Sequence, residues 1–73
     1  APGFVSIQYS NNIAVIKTRP GYASAIAYNI DNSNIIEILG TIAGDDTIVT
    51  ILAEGADRGR LERKLMQVIP NLI

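Results

Sequence analysis

The segment at residues 47–53 constrains the fold most, because it is apolar on both faces of a strand. Its residues alternate between two sets of side chains that favour β-structure, namely Thr47, Val49, Ile51 and Ile48, Thr50, Leu52. Alternation with a period of two indicates a β-strand. One face can pack against helices, but 73 residues offer no obvious cover for the other. We therefore expect the second face to be buried between subunits.

Two segments near the start of the chain predict a β-hairpin. Residues 4–9 alternate, with Val5, Ile7 and Tyr9 expected on one face, and residues 13–18 are mostly β-branched and apolar. The intervening Ser-Asn-Asn sequence suits a tight turn, since asparagine tolerates positive φ. These strands are expected to pair in antiparallel fashion.

Residues 35–43 predict a third strand, separated from the segment at 47–53 by Gly-Asp-Asp. The alternation divides its side chains into one expected face with Ile36, Ile38 and Ile42 and another with Glu37, Leu39 and Thr41. Glycine and aspartate both suit a tight turn. A second hairpin is therefore expected here.

Two helices complete the pattern. The first is expected at about residues 21–32, where a stripe recurs at helical spacing through Ala23, Ile26, Ala27 and Ile30. The second is expected to begin after the N-cap Asp57 and to end at Pro70. Its apolar face comprises Leu61, Leu65, Val68 and Ile69. The order β-β-α-β-β-α predicts an α+β two-layer sandwich, with a mainly antiparallel four-stranded sheet and two helices on one face.

The composition excludes several classes of protein. Without Cys or His, the chain has no disulfide framework, thiolate or imidazole metal site, cysteine nucleophile or Ser-His-Asp triad. No apolar stretch approaches the ~20 residues that span a bilayer, and no signal-peptide pattern opens the sequence. We expect a cytoplasmic protein with no membrane partner. Since 48% of residues are hydrophobic and 18% are charged, this small domain is expected to oligomerise.

The charges are segregated along the chain. Between Arg19 and Arg58 lie 38 residues with six acids and no Lys or Arg, a formal charge of −6. Such a segment attracts a cation and repels phosphate. Nucleic-acid binding through this segment is therefore not expected.

Asp45 and Asp46, adjacent in the Gly-Asp-Asp turn, are the strongest candidate site. A plain hairpin turn is the simplest interpretation, but it requires only one of these acids. Two neighbouring carboxylates favour a bound cation, either an organic ammonium or guanidinium group or, less well, a metal ion. Asp31, at the end of the first helix, is a second candidate, and Ser24 could face the same space.

Other polar and aromatic side chains have simpler interpretations. Tyr22 and Tyr28 are expected to pack at an interface. The charged residues of the second helix are expected to form its solvated face, namely Arg58, Arg60, Glu62, Arg63 and Lys64.

Two motifs make the sequence similar to a known family. Residues 40–48 read GTIAGDDTI and residues 18–31 read TRPGYASAIAYNID. Both resemble segments of the C-terminal domain of bacterial arginine repressors, and the resemblance extends over essentially the whole chain. It implies a non-enzymatic domain that forms trimers, two of which stack into a hexamer. It also implies L-arginine as corepressor between the trimers and no further cofactor.

The resemblance assigns roles to individual residues. Asp45 and Asp46 match the aspartates that hold the ligand, and Asp31 matches the acid that receives its α-amino group. Thr41 and the backbone around Ala43 match positions that line the pocket. Guanidinium forks onto carboxylates, so a carboxylate cluster suits it in geometry and in charge.

The sequence departs from the family at Ser24, where a longer polar side chain is typical. A bridging water or a weaker affinity is expected there. The resemblance also implies that residues 1–73 form the arginine-binding oligomerisation domain, without the N-terminal winged-helix domain that binds operator DNA. Two alternatives stay open at this point, a purely structural multimerisation domain and a carboxylate metal-binding domain.

Overall fold

The computed structural model describes residues 3–69 and confirms the predicted α+β sandwich. Its elements are β1 (Phe4–Ser10), β2 (Ile13–Thr18), α1 (Ala23–Asp31), β3 (Ile38–Ala43), β4 (Thr47–Leu52) and α2 (Arg58–Val68). The four strands form one sheet in the order β1-β2-β4-β3, and every neighbouring pair is antiparallel. The predicted end of the second helix at Pro70 lies outside the described residues.

The core lies between one face of the sheet and the two helices. Its buried hydrophobic residues are Ala14, Ile16, Ala23, Ile26, Ala27, Ile30, Ile35, Ile48, Leu52, Leu61, Leu65 and Ile69. The predicted stripe of α1 is thus confirmed, and this helix packs on β3 and β4. Its small side chains allow the helix to approach the sheet closely.

Local signals place most of the turns and caps. Asn11 adopts a φ of 52° in the first hairpin, as its tolerance of the left-handed region allows. The carboxylate of Asp57 accepts hydrogen bonds from the backbone N–H groups of Gly59 and Arg60, at 2.9 and 3.3 Å, which confirms it as an N-cap. Helix α1 begins two residues after the expected start, because Gly21 has a φ of 87° and is therefore not helical.

The expected solvation of the charged face of α2 is wrong for two residues. Glu62 accepts a hydrogen bond of 2.5 Å from the hydroxyl of Tyr9. Burial raises the pKa of this phenol above its ordinary value, and the hydrogen bond to Glu62 raises it further. The ammonium of Lys64 lies 2.8 Å from a carboxylate oxygen of the buried Glu37. Arg58 is exposed but stacks its guanidinium 4.4 Å from the centre of the Tyr9 ring. These contacts join α2 to the sheet and to the turn before β3.

The predicted face of the first strand is wrong for Val5. The register of β1 against β2 shifts between Phe4 and Ser6, and this irregularity interrupts the alternation. Val5 is 59% exposed, whereas Ile7 and Tyr9 pack against the core as expected.

The third strand starts later than predicted, and its expected faces are wrong. A turn closed by the hydrogen bond from Ile38 N–H to the Ile35 carbonyl, 3.1 Å long, precedes it. A register shift between Ile38 and Gly40 then inserts an extra residue, which reverses the faces. As a result Ile38 and Ala43 pack against the core, while Ile42, which was expected on the same face as Ile38, is 70% exposed. Ile36 lies in the turn before the strand and is 76% exposed.

The opposite face of the sheet forms an apolar surface without a helix over it. We call this surface the open face, and it comprises Ile13 and Val15 of β2, Ile42 of β3, and Val49 and Ile51 of β4. Alternate residues of β4 are buried on the helix side, which confirms the expected two-sided strand. That the open face is a subunit contact stays a prediction.

Candidate functional site

The acidic turn, Gly44-Asp45-Asp46, connects β3 to β4 and is held by its backbone. The N–H of Gly44 donates to the carbonyl of Thr47 at 2.8 Å, which closes the hairpin. The Asp45 carbonyl accepts from the N–H groups of Gly21 and Ala23, at 3.0 and 3.4 Å. The turn is therefore fixed against the start of α1.

The carboxylates of this turn face solvent. Asp45 and Asp46 are both exposed, and the Asp46 carboxylate accepts a hydrogen bond of 2.9 Å from the hydroxyl of Thr47. Among residues 3–69 the Lys64–Glu37 contact is the one ion pair, so neither aspartate of the turn has one there. Two adjacent carboxylates, neither in an ion pair within this part of the chain, create a local field that favours a positively charged group.

Asp31 forms a second acidic position together with Thr41. The Thr41 hydroxyl lies 2.9 and 3.1 Å from the two carboxylate oxygens of Asp31. This contact joins the last residue of α1 to the middle of β3. Because the hydroxyl has one hydrogen, it donates to one oxygen at a time and keeps the carboxylate in a narrow range of orientations.

Ser24 lies on the same side of α1 as Asp31. The two residues are seven positions apart, which is two turns of a helix with 3.6 residues per turn. Both are exposed. That the two side chains line one ligand pocket stays a prediction.

The structure brings some of the predicted site residues together and leaves others apart. Thr41 contacts Asp31, and Ala43, half-buried at the end of β3, lies next to the acidic turn. The acidic turn and Asp31 lie at opposite ends of α1, which are about 12 Å apart at 1.5 Å per residue. The candidate site in this chain is thus a surface along α1 with an acidic position at each end.

Sequence reasoning missed two residues that reach the acidic turn. Lys17 donates a hydrogen bond of 3.0 Å to the Thr47 hydroxyl, which itself bonds to Asp46. Lys17 and Thr47 are directly opposite each other in the β2–β4 pairing. The pairing of β2 with β4 is the signal that could have predicted this contact. That pairing depends on the register between two segments thirty residues apart, which the sequence of neither segment specifies.

The two tyrosines expected at an interface lie on α1 and just before it, at the surface. Tyr22 and Tyr28 are 43% and 69% exposed, and their role at an interface stays a prediction.

No group of three or more acidic residues within residues 3–69 is arranged to hold a metal ion. Neither helix described here is long and apolar enough to cross a bilayer.

The fold and the candidate site together define the class of protein. It is a small two-layer α+β domain with an acidic surface site and a sheet face that neither described helix covers. The chain belongs to the family of arginine repressor C-terminal domains, whose family model matches residues 2–67. This membership confirms the resemblance that the two sequence motifs indicated. The family is named for a domain of transcription regulators and is not a family of enzymes.

Curated relatives agree with this assignment. The chain is 60% identical to the arginine repressor of Phocaeicola vulgatus, over 96% of the chain and 44% of that protein. It is 59% identical to the arginine repressor of Bacteroides thetaiotaomicron, over 96% of the chain and 45% of the relative. The corresponding protein of Parabacteroides distasonis is 48% identical, with 88% and 44% covered. The chain thus spans less than half the length of these relatives.

Proposed function

We propose that this chain is the arginine-sensing and oligomerisation domain of a transcriptional regulator. L-arginine binds as corepressor between two trimers and stabilises the resulting hexamer. The relatives are named arginine repressors, and the exposed acidic turn supplies a site of suitable charge in this chain.

The observation that carries the proposal is the exposed pair of carboxylates on a fixed backbone. Asp45 and Asp46 have no ion-pair partner within residues 3–69, although the turn itself is tied to the loop before α1. A guanidinium group is planar and can donate two parallel hydrogen bonds to a carboxylate. A turn that is already ordered loses little conformational entropy when it binds such a group.

The other end of α1 is suited to the α-amino group of the ligand. Asp31 supplies a negative charge there, and Thr41 orients its carboxylate. Ser24 lies on the same side of the helix but has a short side chain, so a water bridges it to the ligand in this proposal. Ala43 borders the acidic turn and contributes backbone to the pocket.

Assembly follows from the open face. A contiguous apolar surface at the centre of the sheet loses contact with water when a second copy covers it, which stabilises association. Ligand bound between trimers then stabilises the hexamer, and hexamer formation strengthens ligand binding by the same factor.

Operator DNA is bound, in this proposal, by an N-terminal winged-helix domain of the complete regulator in the cytoplasm. The segment from residue 20 to residue 57 has a formal charge of −6, which opposes contact with phosphates. Hexamer formation would present several DNA-binding domains together and increase their avidity for paired operator sites.

Thermal unfolding with different ligands tests the sensor function. L-arginine is expected to raise the melting temperature, whereas L-citrulline, which has the same length without the charge, is expected to leave it unchanged. Sedimentation should show trimers without ligand and hexamers with L-arginine. Asp45→Asn and Asp46→Asn are expected to remove the arginine effect while trimers persist.

Two outcomes would favour the alternatives. An assembly that persists while millimolar arginine produces no shift would identify a purely structural multimerisation domain, for which the open face alone suffices. Stabilisation by Mg²⁺, Ca²⁺ or Mn²⁺, removed by the same aspartate variants, would identify a carboxylate metal site. Dissociation of those variants into monomers would show that the aspartates maintain the assembly.

A further inference from the structure

The two aspartates of the acidic turn are not equivalent. Thr47 donates its hydroxyl hydrogen to the Asp46 carboxylate at 2.9 Å, and Lys17 donates from its ammonium to the Thr47 oxygen at 3.0 Å. A hydroxyl has one hydrogen to donate and lone pairs to accept, so both bonds form together. The Asp45 side chain has no hydrogen bond within the described residues.

This chain of hydrogen bonds rests on paired strands. Lys17 and Thr47 are directly opposite each other in the antiparallel β2–β4 ladder, which places their Cβ atoms about 5 Å apart on one face. The Thr18 N–H donates to the Asp46 carbonyl at 2.8 Å, so the turn and the end of β2 are joined by backbone as well. The register of the sheet thus positions an ammonium beside the acidic turn.

We propose that Lys17 sets the affinity of the acidic turn for its cationic ligand. The ammonium of Lys17 partly offsets the charge of Asp46, and Asp45 is the carboxylate that attracts the ligand most strongly. A guanidinium at this turn is repelled by Lys17, which lowers its affinity. This inference deepens the proposed function and depends on it for the identity of the ligand.

The arrangement has a consequence for selectivity. Two carboxylates with no nearby positive charge would attract many cations, including inorganic ones. With Lys17 in place, the turn alone attracts a cation less strongly. Stable binding then depends on further contacts, such as those of an α-amino group with Asp31.

The hydrogen bonds that run from Lys17 through Thr47 to Asp46 can be tested without ligand. In NMR spectra that detect lysine ammonium groups, a hydrogen-bonded Lys17 should exchange its hydrogens slowly enough to give a resolved signal. Thr47→Val removes the bridging hydroxyl and should abolish this signal, while Thr47→Ser retains the hydroxyl and should preserve it. A Lys17 signal unchanged in Thr47→Val would overturn the inference.

Calorimetric titration with L-arginine tests the effect on affinity. Lys17→Met is expected to tighten binding about threefold at low ionic strength, and the gain should shrink as salt is added. Arg63→Met is the matched control, because it removes the same charge from an exposed position on α2 and should change affinity much less. In a Thr47→Val background, Lys17→Met should have a smaller effect than in the wild type.

The possible results separate this inference from the proposed function. Binding that is unchanged or weaker in Lys17→Met would overturn the role of Lys17 and leave the arginine site intact. A wild-type chain that releases no heat with L-arginine and shows no thermal shift would contradict the proposed function and this affinity role together.

Discussion

The hydroxyl of Thr41 lies 2.9 and 3.1 Å from the two carboxylate oxygens of Asp31. These residues are ten positions apart in sequence and belong to β3 and α1, so the contact forms only when the helix packs on the sheet. An exposed carboxylate ordinarily samples several rotamers. Thr41 restricts that sampling and holds the Asp31 carboxylate in an orientation in which it can accept a hydrogen bond from a ligand.

Thr41→Val is expected to weaken binding of L-arginine by about tenfold, because a hydrogen bond to a charged group contributes about 1.5 kcal/mol. Thr41→Ser keeps the hydroxyl and should bind within a few-fold of the wild type. Isothermal titration calorimetry measures both affinities. Equal affinities for the valine and serine variants would show that Thr41 does not orient Asp31 for the ligand.

Val49→Lys is expected to prevent assembly without unfolding the domain. Val49 lies on the open face, opposite Val15 on one neighbouring strand and Ile42 on the other. A lysine at this point is solvated in a monomer but would be desolvated in an apolar contact. Sedimentation velocity should show monomers, while circular dichroism stays that of the wild type.

Gln67→Lys provides a control for this experiment, since Gln67 is exposed on α2 on the other side of the molecule. It adds the same charge and should assemble normally. A Val49→Lys variant that assembles like the wild type would exclude the open face as the subunit contact.

Thr50→Val is expected to stabilise the domain by about 1 kcal/mol. Thr50 is 0% exposed, and its hydroxyl oxygen has no hydrogen-bond partner among the described residues. Valine has nearly the same shape and removes the cost of burying an unpaired hydroxyl. Urea unfolding measures the change in free energy.

Thr18→Val is the matched variant with the opposite expected sign. Thr18 is also buried, but its hydroxyl donates to the Arg19 carbonyl at 2.9 Å. Valine leaves that carbonyl without this bond, so a loss of about 1 kcal/mol is expected. Destabilisation of similar size in both variants would indicate that the Thr50 hydroxyl has a partner in solution.

The Glu37–Lys64 pair predicts a loss of stability in acid. The hydrogen bond from Lys64 lowers the pKa of Glu37 below its ordinary 4.5, although burial opposes this. A lowered pKa in the folded state means that the pair stabilises the protein above the ordinary pKa. That stability is lost as the pH falls through the lower pKa of the folded state.

The free energy of unfolding, measured from about pH 7 to about pH 3, checks this prediction. Glu37→Gln should be less stable than the wild type at neutral pH and should depend less on pH in the acid range. Glu54→Gln removes an exposed acid and should leave the pH profile nearly unchanged. Parallel profiles for the wild type and Glu37→Gln would contradict the assigned role of the pair.

Much of the candidate site could be predicted from the sequence because it depends on short-range chemistry. Gly44, Asp45 and Asp46 form a turn as expected, and Asp57 caps α2 because a short acid before a helix can reach its first N–H groups. The contacts between Thr41 and Asp31 and between Lys17 and Thr47 could not be predicted in this way. They depend on how a helix and two strands are placed against each other.

By itself the sequence determined the order of the elements, the buried stripe of α1 and the two apolar faces of β4, since each follows from periodicity within one segment. Only the tertiary structure decided which side of β3 faces the core. A register shift between Ile38 and Gly40 places Ile42 on the face opposite Ile38, where it is 70% exposed. Glu37 is buried with its carboxylate paired to Lys64, twenty-seven residues away. The alternation of side chains along one strand predicts neither outcome, because both depend on partners that other segments provide.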